Sequence, residues 1–413
     1  MVMDPIFFYR NPASAVAEGT LQGLRVAIQP NLAVEGWPTE AGSRALLGYT
    51  APEDATIVRR LRAHGAHLSG STYMSELGFG LVNSRAGAAL QSREADVELV
   101  LDFMGEGRLA AAGAGVYGFK PSYGLMSRYG LVGLTPSMEC CGVLSADLGG
   151  IRAVLQAVAG GDGLDFSVPE EEAPDFAPQV IDPPMISVGV LAEARGGLND
   201  GQNEAFALAS AGLAEVGFAV REVSLPEWSL FEVVHRIVGS VEASSATGRY
   251  DSVRYGPRAP GAKNWNEMYL LSRGADFDTL LKSYLIQGAF FQFESCEAFQ
   301  DACRLRARLV GEVQRLLSEV DFLALPTVLD GVASVAGASI LLDATYTAFS
   351  STLFANVTGQ PVLYMPPGPA TEMGAAAGAA GGACGLQLAG PRLSDGSLLA
   401  LGEYLQSTGR GGE

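Results

Sequence analysis

Lysine is nearly absent from this sequence: Lys120, Lys263 and Lys282 are the only ones among 27 basic residues in a chain of 413. Arginine does not give up its proton in proteins, so any lysine-based chemistry must come from those three positions. Charged residues are sparse at 17%, and histidine is limited to His64, His67 and His235. His64 and His67 fall at a helix end before a turn, with no cysteine near enough to suggest a zinc pair; neither metal nor cofactor is expected. The five cysteines (Cys140, Cys141, Cys296, Cys303 and Cys384) are odd in number and lack disulfide-like spacing. They point to a reducing, cytoplasmic setting. Cys296 and Cys303 share a helical pattern and are expected in core packing. No apolar run reaches the roughly 18 residues a membrane-spanning helix needs. The short run Ile6-Phe7-Phe8-Tyr9 has no basic flank and no long apolar region, so a signal peptide is not expected either.

What is present is a globular composition. Apolar residues make up 48% of the chain and glycine occurs 52 times, which suits a large buried core. The net charge of −18 repels phosphate backbones, and no basic patch offsets it, so direct nucleic-acid binding is not expected.

Short apolar runs alternate with amphipathic stretches. Leu24 to Ile28 reads as a strand, and Asp54 to His64 as a helix with Asp54 as its N-cap and Gly65 at its end. Ala66 to Leu68 follows as a strand. Ile151 to Ala159 and Glu204 to Val216 read as helices, Met185 to Leu191 and Phe218 to Val223 as β-segments, and Phe322 to Leu325 as a buried strand stopped by Pro326. The alternation predicts one α/β domain over residues 1–413, with a mixed central β-sheet flanked by α-helices. Residues 1–20 are left as an N-terminal segment, 165–184 as an acidic, proline-rich surface loop, and 374–385 as a loop of almost only glycine and alanine.

Several blocks stand in a recognisable order. Ala27-Ile28-Gln29-Pro30-Asn31 leads into Ala41-Gly42-Ser43; Gly118-Phe119-Lys120-Pro121-Ser122-Tyr123-Gly124 runs on to Arg128-Tyr129-Gly130-Leu131-Val132. Arg249 to Gly256, Leu325-Pro326-Thr327, Asn356 to Pro361 and Gly385 to Leu388 follow. In this order the blocks resemble the amidase-signature enzymes over about residues 20 to 405. Within them the second and third blocks are most similar to the glutaminase (A) subunit of the glutamyl-tRNA(Gln) amidotransferases.

The resemblance implies an amidase-signature α/β fold and a serine–serine–lysine triad. A lysine acts as base through a bridging serine, a second serine attacks the amide, and backbone N–H groups hold the oxyanion. Where the family keeps the lysine, this sequence has Gln29, whose amide has no useful basicity. The glycine- and serine-rich bridging stretch should lie between Asn83 and Asp102, yet Ser92 is the only hydroxyl from Gly87 to Leu101. That segment reads as shortened, with Glu94 to Leu101 as helix or strand. Counting back from Lys120-Pro121, Asp102, Gly105 and Arg108 match the family's cleft motif, and the nucleophile position reads Glu106. Tyr255 and Arg306 fall where the amidotransferase glutaminase holds the amino-acid end of glutamine, and Phe349 falls where it keeps an aspartate for the substrate ammonium.

Glu106 has two readings: a general base in the old cleft, or a solvated charge or Arg108 salt bridge, the second being favoured. The reading preferred for the whole chain is an amidase-like protein without the family's triad. It would serve as a small-molecule-binding or partner subunit, with a partner chain or a homodimer and a small carboxylate or amide ligand. The lack of a helical N-terminal extension counts against a partner of the amidotransferase kind. The alternatives are chemistry relocated to Glu106, Asp102, Ser71 or Ser127, and an amide hydrolase whose nucleophile is not recognised in the sequence.

Overall fold

The computed structural model describes residues 4–12, 18–328, 338–367 and 384–410. Among these residues, eleven strands form one mixed sheet in the order β1-β3-β2-β4-β6-β5-β10-β11-β9-β7-β8. The strands are β1 (Phe7–Arg10), β2 (Arg25–Ile28), β3 (His67–Thr72), β4 (Val97–Asp102), β5 (Tyr117–Lys120) and β6 (Cys140–Ser145). They continue with β7 (Ser187–Leu191), β8 (Ala219–Val223), β9 (Phe322–Val328), β10 (Val362–Met365) and β11 (Cys384–Ala389). β2 runs parallel to β3 and β4, and β7 parallel to β8 and β9, while the centre of the sheet is antiparallel. Helices cover the sheet, as the alternation predicted. β4 and β6 are buried at every residue.

Several local expectations change. Ile6 to Tyr9 is not merely a terminal segment: β1 adds an antiparallel edge strand to β3. The helix α1 (Thr56–Ala63) is capped at Ala55, not Asp54. The Asp54 carboxylate is already used, accepting from the Glu35 N–H at 2.8 Å and pairing with Arg62 at 2.6 Å. Pro326 does not stop β9 but lies within it, opposite Leu386 of β11. The pairing of β9 with β7 ends at Ala324, so the N–H that proline lacks falls beyond that ladder. Cys296 and Cys303, expected in the core, are exposed on the helix Cys296–Glu319, whose buried side is formed by Ala302, Leu309, Val313 and Leu316. Of the glycine-alanine loop, 374–383 lies outside the described residues, and Cys384 and Gly385 belong to β11.

Of Glu94 to Leu101, Val97 onward is strand, within β4 (Val97–Asp102), and Glu94 to Asp96 form the loop that leads into it. A single helical turn α2 (Ala88–Gln91) leads into β4, and α3 (Glu106–Ala114) follows at once. Because β2 and β4 are parallel neighbours, their C-terminal ends lie side by side. That puts Gln29, the residue after β2, next to the β4–α3 turn.

Candidate functional site

Alternation along β4 sends Glu98, Val100 and Asp102 to one face. Asp102 is wholly buried and meets the equally buried Arg108, in the first turn of α3, through two hydrogen bonds of 3.1 and 3.0 Å. The remaining guanidinium N–H groups reach the Thr352 carbonyl, Gln387 Oε1 and Asn356 Oδ1 at 2.9, 3.2 and 2.6 Å. Asn356 Nδ2 returns a hydrogen bond to Asp102 Oδ1 at 2.9 Å. Burial raises the Asp102 carboxyl, but Arg108, Lys120 and Asn356 together outweigh it and hold the group below its ordinary value. Expected to line a cleft, Asp102 and Arg108 instead form a closed ion pair that ties β4 to β11 and to the Leu353–Thr358 helix.

The turn Phe103-Met104-Gly105 then points three consecutive N–H groups at one spot. Gly105 has φ +126°, and a Cβ there would lie 2.2 Å from Thr352 Oγ1, so both conformation and space demand glycine. The spot is filled by the chain itself. Glu106 Oε2 accepts from the N–H groups of Phe103, Met104 and Gly105 at 2.9, 2.8 and 3.2 Å, and Oε1 accepts from Gly80 at 3.3 Å. Only 2% exposed, Glu106 is neither a solvated charge nor a partner of Arg108. Burial and the neighbouring Asp102 push it up to about 8, against the pull of the backbone donors. All of its hydrogen-bond partners are donors, and the first turn of a helix favours an anion, so the geometry suits the carboxylate.

Gln29 is buried beside this turn, with Oε1 accepting from the Leu101 N–H at 2.9 Å. An amide here orients β4; it has no proton-accepting nitrogen to offer a reaction. Lys120 is buried too, donating to the carbonyls of Pro121 and Gln360 at 3.0 and 2.9 Å, and burial lowers its pKa. Ser71 is buried at the end of β3, and Ser127 Oγ donates to Asp162. Ser92 caps the end of α2.

Two features of this region escape the sequence reading. Glu98, a lone charge inside the apolar run Val97 to Leu101, is fully buried. It accepts from the Thr72 hydroxyl and the Gly87 N–H, both at 2.7 Å, and burial pushes it up to about 7. Its position within apolar residues is the signal that could have marked it. His235 is also fully buried, with Nε2 2.8 Å from the Phe103 carbonyl and Nδ1 3.0 Å from the Tyr346 hydroxyl. Burial lowers it to about 4, which keeps the ring neutral. No pattern around His235 in the sequence announced this.

The other expected residues lie apart from the turn or beneath it. Arg306 is committed to the Val357 carbonyl and to Ser137 Oγ and carbonyl, at 2.8, 2.6 and 2.7 Å. Tyr255 packs its ring against Tyr49 and Tyr250 at centroid distances of 5.5 and 5.9 Å. Phe349 is buried in the same apolar cluster as Phe103 and Met104, and its carbonyl accepts from Thr352 Oγ1 at 2.8 Å. A cleft of about 380 Å³ is lined by Glu193, Trp228, Glu232, Thr347 and Ser350–Ser351, and a shallow groove of about 550 Å³ by Tyr123, Ser137, Glu242, Arg249 and Gln292. Neither is lined by Gln29 or Glu106. Among the described residues no group of His, Cys, Asp and Glu is arranged to hold a metal ion, and no helix is long and apolar enough to cross a membrane.

The Amidase family model matches residues 10–92 and 86–399, two segments that meet on α2. The A subunit of glutamyl-tRNA(Gln) amidotransferase from Natronomonas pharaonis is 31% identical over 420 residues, covering 94% of this chain and 96% of the relative. The protein of that name from Thermus thermophilus is 34% identical over 382 residues, covering 86% and 80%. The crystal structure of the corresponding protein from Thermotoga maritima superposes with a TM-score of 0.78 at 22% identity, covering 99% of this chain and 88% of that one. With the eleven-stranded sheet and the Asp102–Arg108 turn in place, the chain belongs to the amidase family and is similar across nearly its whole length to the A subunit of glutamyl-tRNA(Gln) amidotransferase.

Proposed function

We propose that this protein keeps the amidase scaffold without hydrolysing amides through the family's triad, and that it acts as a ligand-binding or partner subunit. One observation carries the reading: the Glu106 carboxylate, at the attacking serine's position by the sequence count, occupies the three N–H groups beneath it. A carboxylate held there repels a developing oxyanion and takes the donors that would stabilise it. Gln29 at the position of the base supplies no proton acceptor of useful strength. The two segments of the family match meet on α2, in keeping with a shortened bridging stretch. The relatives are named as subunits of an amidotransferase, and that name supports a protein partner for this chain as well.

Ammonia release from glutamine, asparagine and a simple aryl amide by the purified protein tests the reading. Turnover at the level of the buffer blank is expected; turnover well above it overturns the proposal. A second reading has one observation in its favour, the Glu106 pKa of about 8, which suits a general base near neutral pH. It requires that any activity found follow a sigmoidal or bell-shaped pH profile that collapses in Glu106→Gln. Activity unchanged in that variant removes Glu106 as the base.

A further inference from the structure

Three side chains hold the Phe103-Met104-Gly105 turn from behind. Each N–H that meets Glu106 belongs to a trans peptide whose carbonyl points the opposite way, so a hydrogen bond on that carbonyl fixes where the N–H aims. The Asp102 carbonyl, back to back with the Phe103 N–H, accepts from Asn356 Nδ2 at 3.1 Å. The Phe103 carbonyl, behind the Met104 N–H, lies 2.8 Å from His235 Nε2. The Met104 carbonyl, behind the Gly105 N–H, accepts from Thr352 Oγ1 at 2.5 Å. Thr352 and Asn356 come from the start and middle of the Leu353–Thr358 helix, and His235 opens a π-helical turn, His235–Gly239. Such turns inside longer helices recur at functional sites.

His235 carries the middle peptide, and its surroundings leave it one way of doing so. A carbonyl oxygen only accepts, so Nε2 must hold the proton of the neutral ring and Nδ1 must accept. The Tyr346 hydroxyl, 3.0 Å from Nδ1, supplies that proton, and the Tyr284 hydroxyl stands 3.4 Å behind it. Gly239 makes room for the second hydroxyl, since a Cβ there would lie 2.4 Å from it. His235, Tyr284 and Tyr346 are fully buried, so water does not compete for these bonds.

We infer that His235, together with Asn356 and Thr352, is a positioning residue that preorganises the three N–H groups of the turn to hold an anion. Donors fixed in this way need no reorganisation when they meet a negative charge. The role deepens the proposed function and rests on its account of Glu106 as the group the turn holds. It does not depend on whether amides are hydrolysed.

Two NMR measurements on the full chain test it. Histidine nitrogen shifts are expected to show His235 as the Nε2–H tautomer. A pH titration of the Glu106 carboxyl carbon should give an acid dissociation constant at least ~10-fold smaller in His235→Leu than in wild type, because the Met104 N–H is no longer held against it. His235→Gln, whose amide NH₂ can reach the same carbonyl, restores the constant, whereas a loss of packing alone would leave the two variants alike. Thr352→Val keeps the side-chain shape, frees the Met104 carbonyl and should move the constant the same way; it decides the matter if His235→Leu does not fold. An Nδ1–H tautomer in wild type overturns the inference, as does a constant unchanged in Thr352→Val or one moved equally in His235→Leu and His235→Gln. Ammonia release from glutamine would sink the proposed loss of hydrolysis without altering either NMR result, so the two failures are told apart.

Discussion

Glu98 and Glu106 are both buried carboxyls with raised pKa values, yet their surroundings ask different things of them. Glu106 meets only N–H donors, so a proton on it would face a donor. Replacing it by glutamine turns an amide NH₂ towards one of those donors. Glu106→Gln should lose about 1–3 kcal/mol of stability in urea denaturation, the cost of unsatisfied buried donors, and gain no amidase activity. A variant as stable as wild type would show that the carboxylate does not hold the turn. Glu98 has an alternative: Thr72 Oγ1 also lies 3.3 Å from the Ile28 carbonyl, so a protonated Glu98 can donate to Thr72 while Thr72 donates onward. Its pKa is raised from 4.5 to about 7, so it binds its proton more tightly folded than unfolded. The stability it adds is fully present below the unfolded value and is lost as pH rises through about 7. Wild type should therefore be favoured over Glu98→Gln most strongly at acid pH, with the gap in melting temperature closing or reversing by about pH 8. A gap independent of pH would contradict a raised Glu98.

Among the elements, the β4–α3 unit organises the centre, and its two special residues can be tested separately. Gly105→Ala introduces a Cβ at φ +126° against Thr352 and should cost about 1–3 kcal/mol or more, read by chemical denaturation. Arg108→Met strips Asp102 of its counter-charge in a fully buried setting and should cost about 3–5 kcal/mol, seen as a large fall in midpoint or loss of soluble protein. Near-neutral behaviour of either variant would show that the turn tolerates rearrangement. This unit was legible in part. Asp102, Gly105, Glu106 and Arg108 could be placed in sequence by counting from Lys120-Pro121, because short spacings along one strand–turn–helix survive divergence. Whether Arg108 paired with Asp102 or Glu106 could not be read, since Asn356, Thr352 and Gln387, which complete its shell, lie more than 240 residues away. Pro326 misled for a related reason: a proline ends a strand only where a neighbour needs its N–H, and the sheet order decides that.

At the scale of the whole molecule, the order of the family blocks pointed to the fold, and the mixed sheet with its covering helices follows it closely. Burial was the harder quantity. Glu106 looked like a surface charge because a carboxylate in a glycine-containing turn usually is one, and only the tertiary structure shows Gly80 and the turn closing over it. On the helix Thr279–Phe293 the exposure of Ile286, Phe290 and Phe293 is equally hidden in the sequence, because apolar residues on both faces of a helix read as deep core until one face is seen to be open. The scaffold holds a buried ion pair and a glycine turn, and on the proposed reading a glutamate fills the position where the family's chemistry begins. Ammonia release from glutamine by the purified chain, run beside a serine–serine–lysine member of the family, decides whether that chemistry is lost. Release indistinguishable from buffer is expected while the relative turns over; sustained release by this chain, above that of its Glu106→Ala variant, would show that it is not.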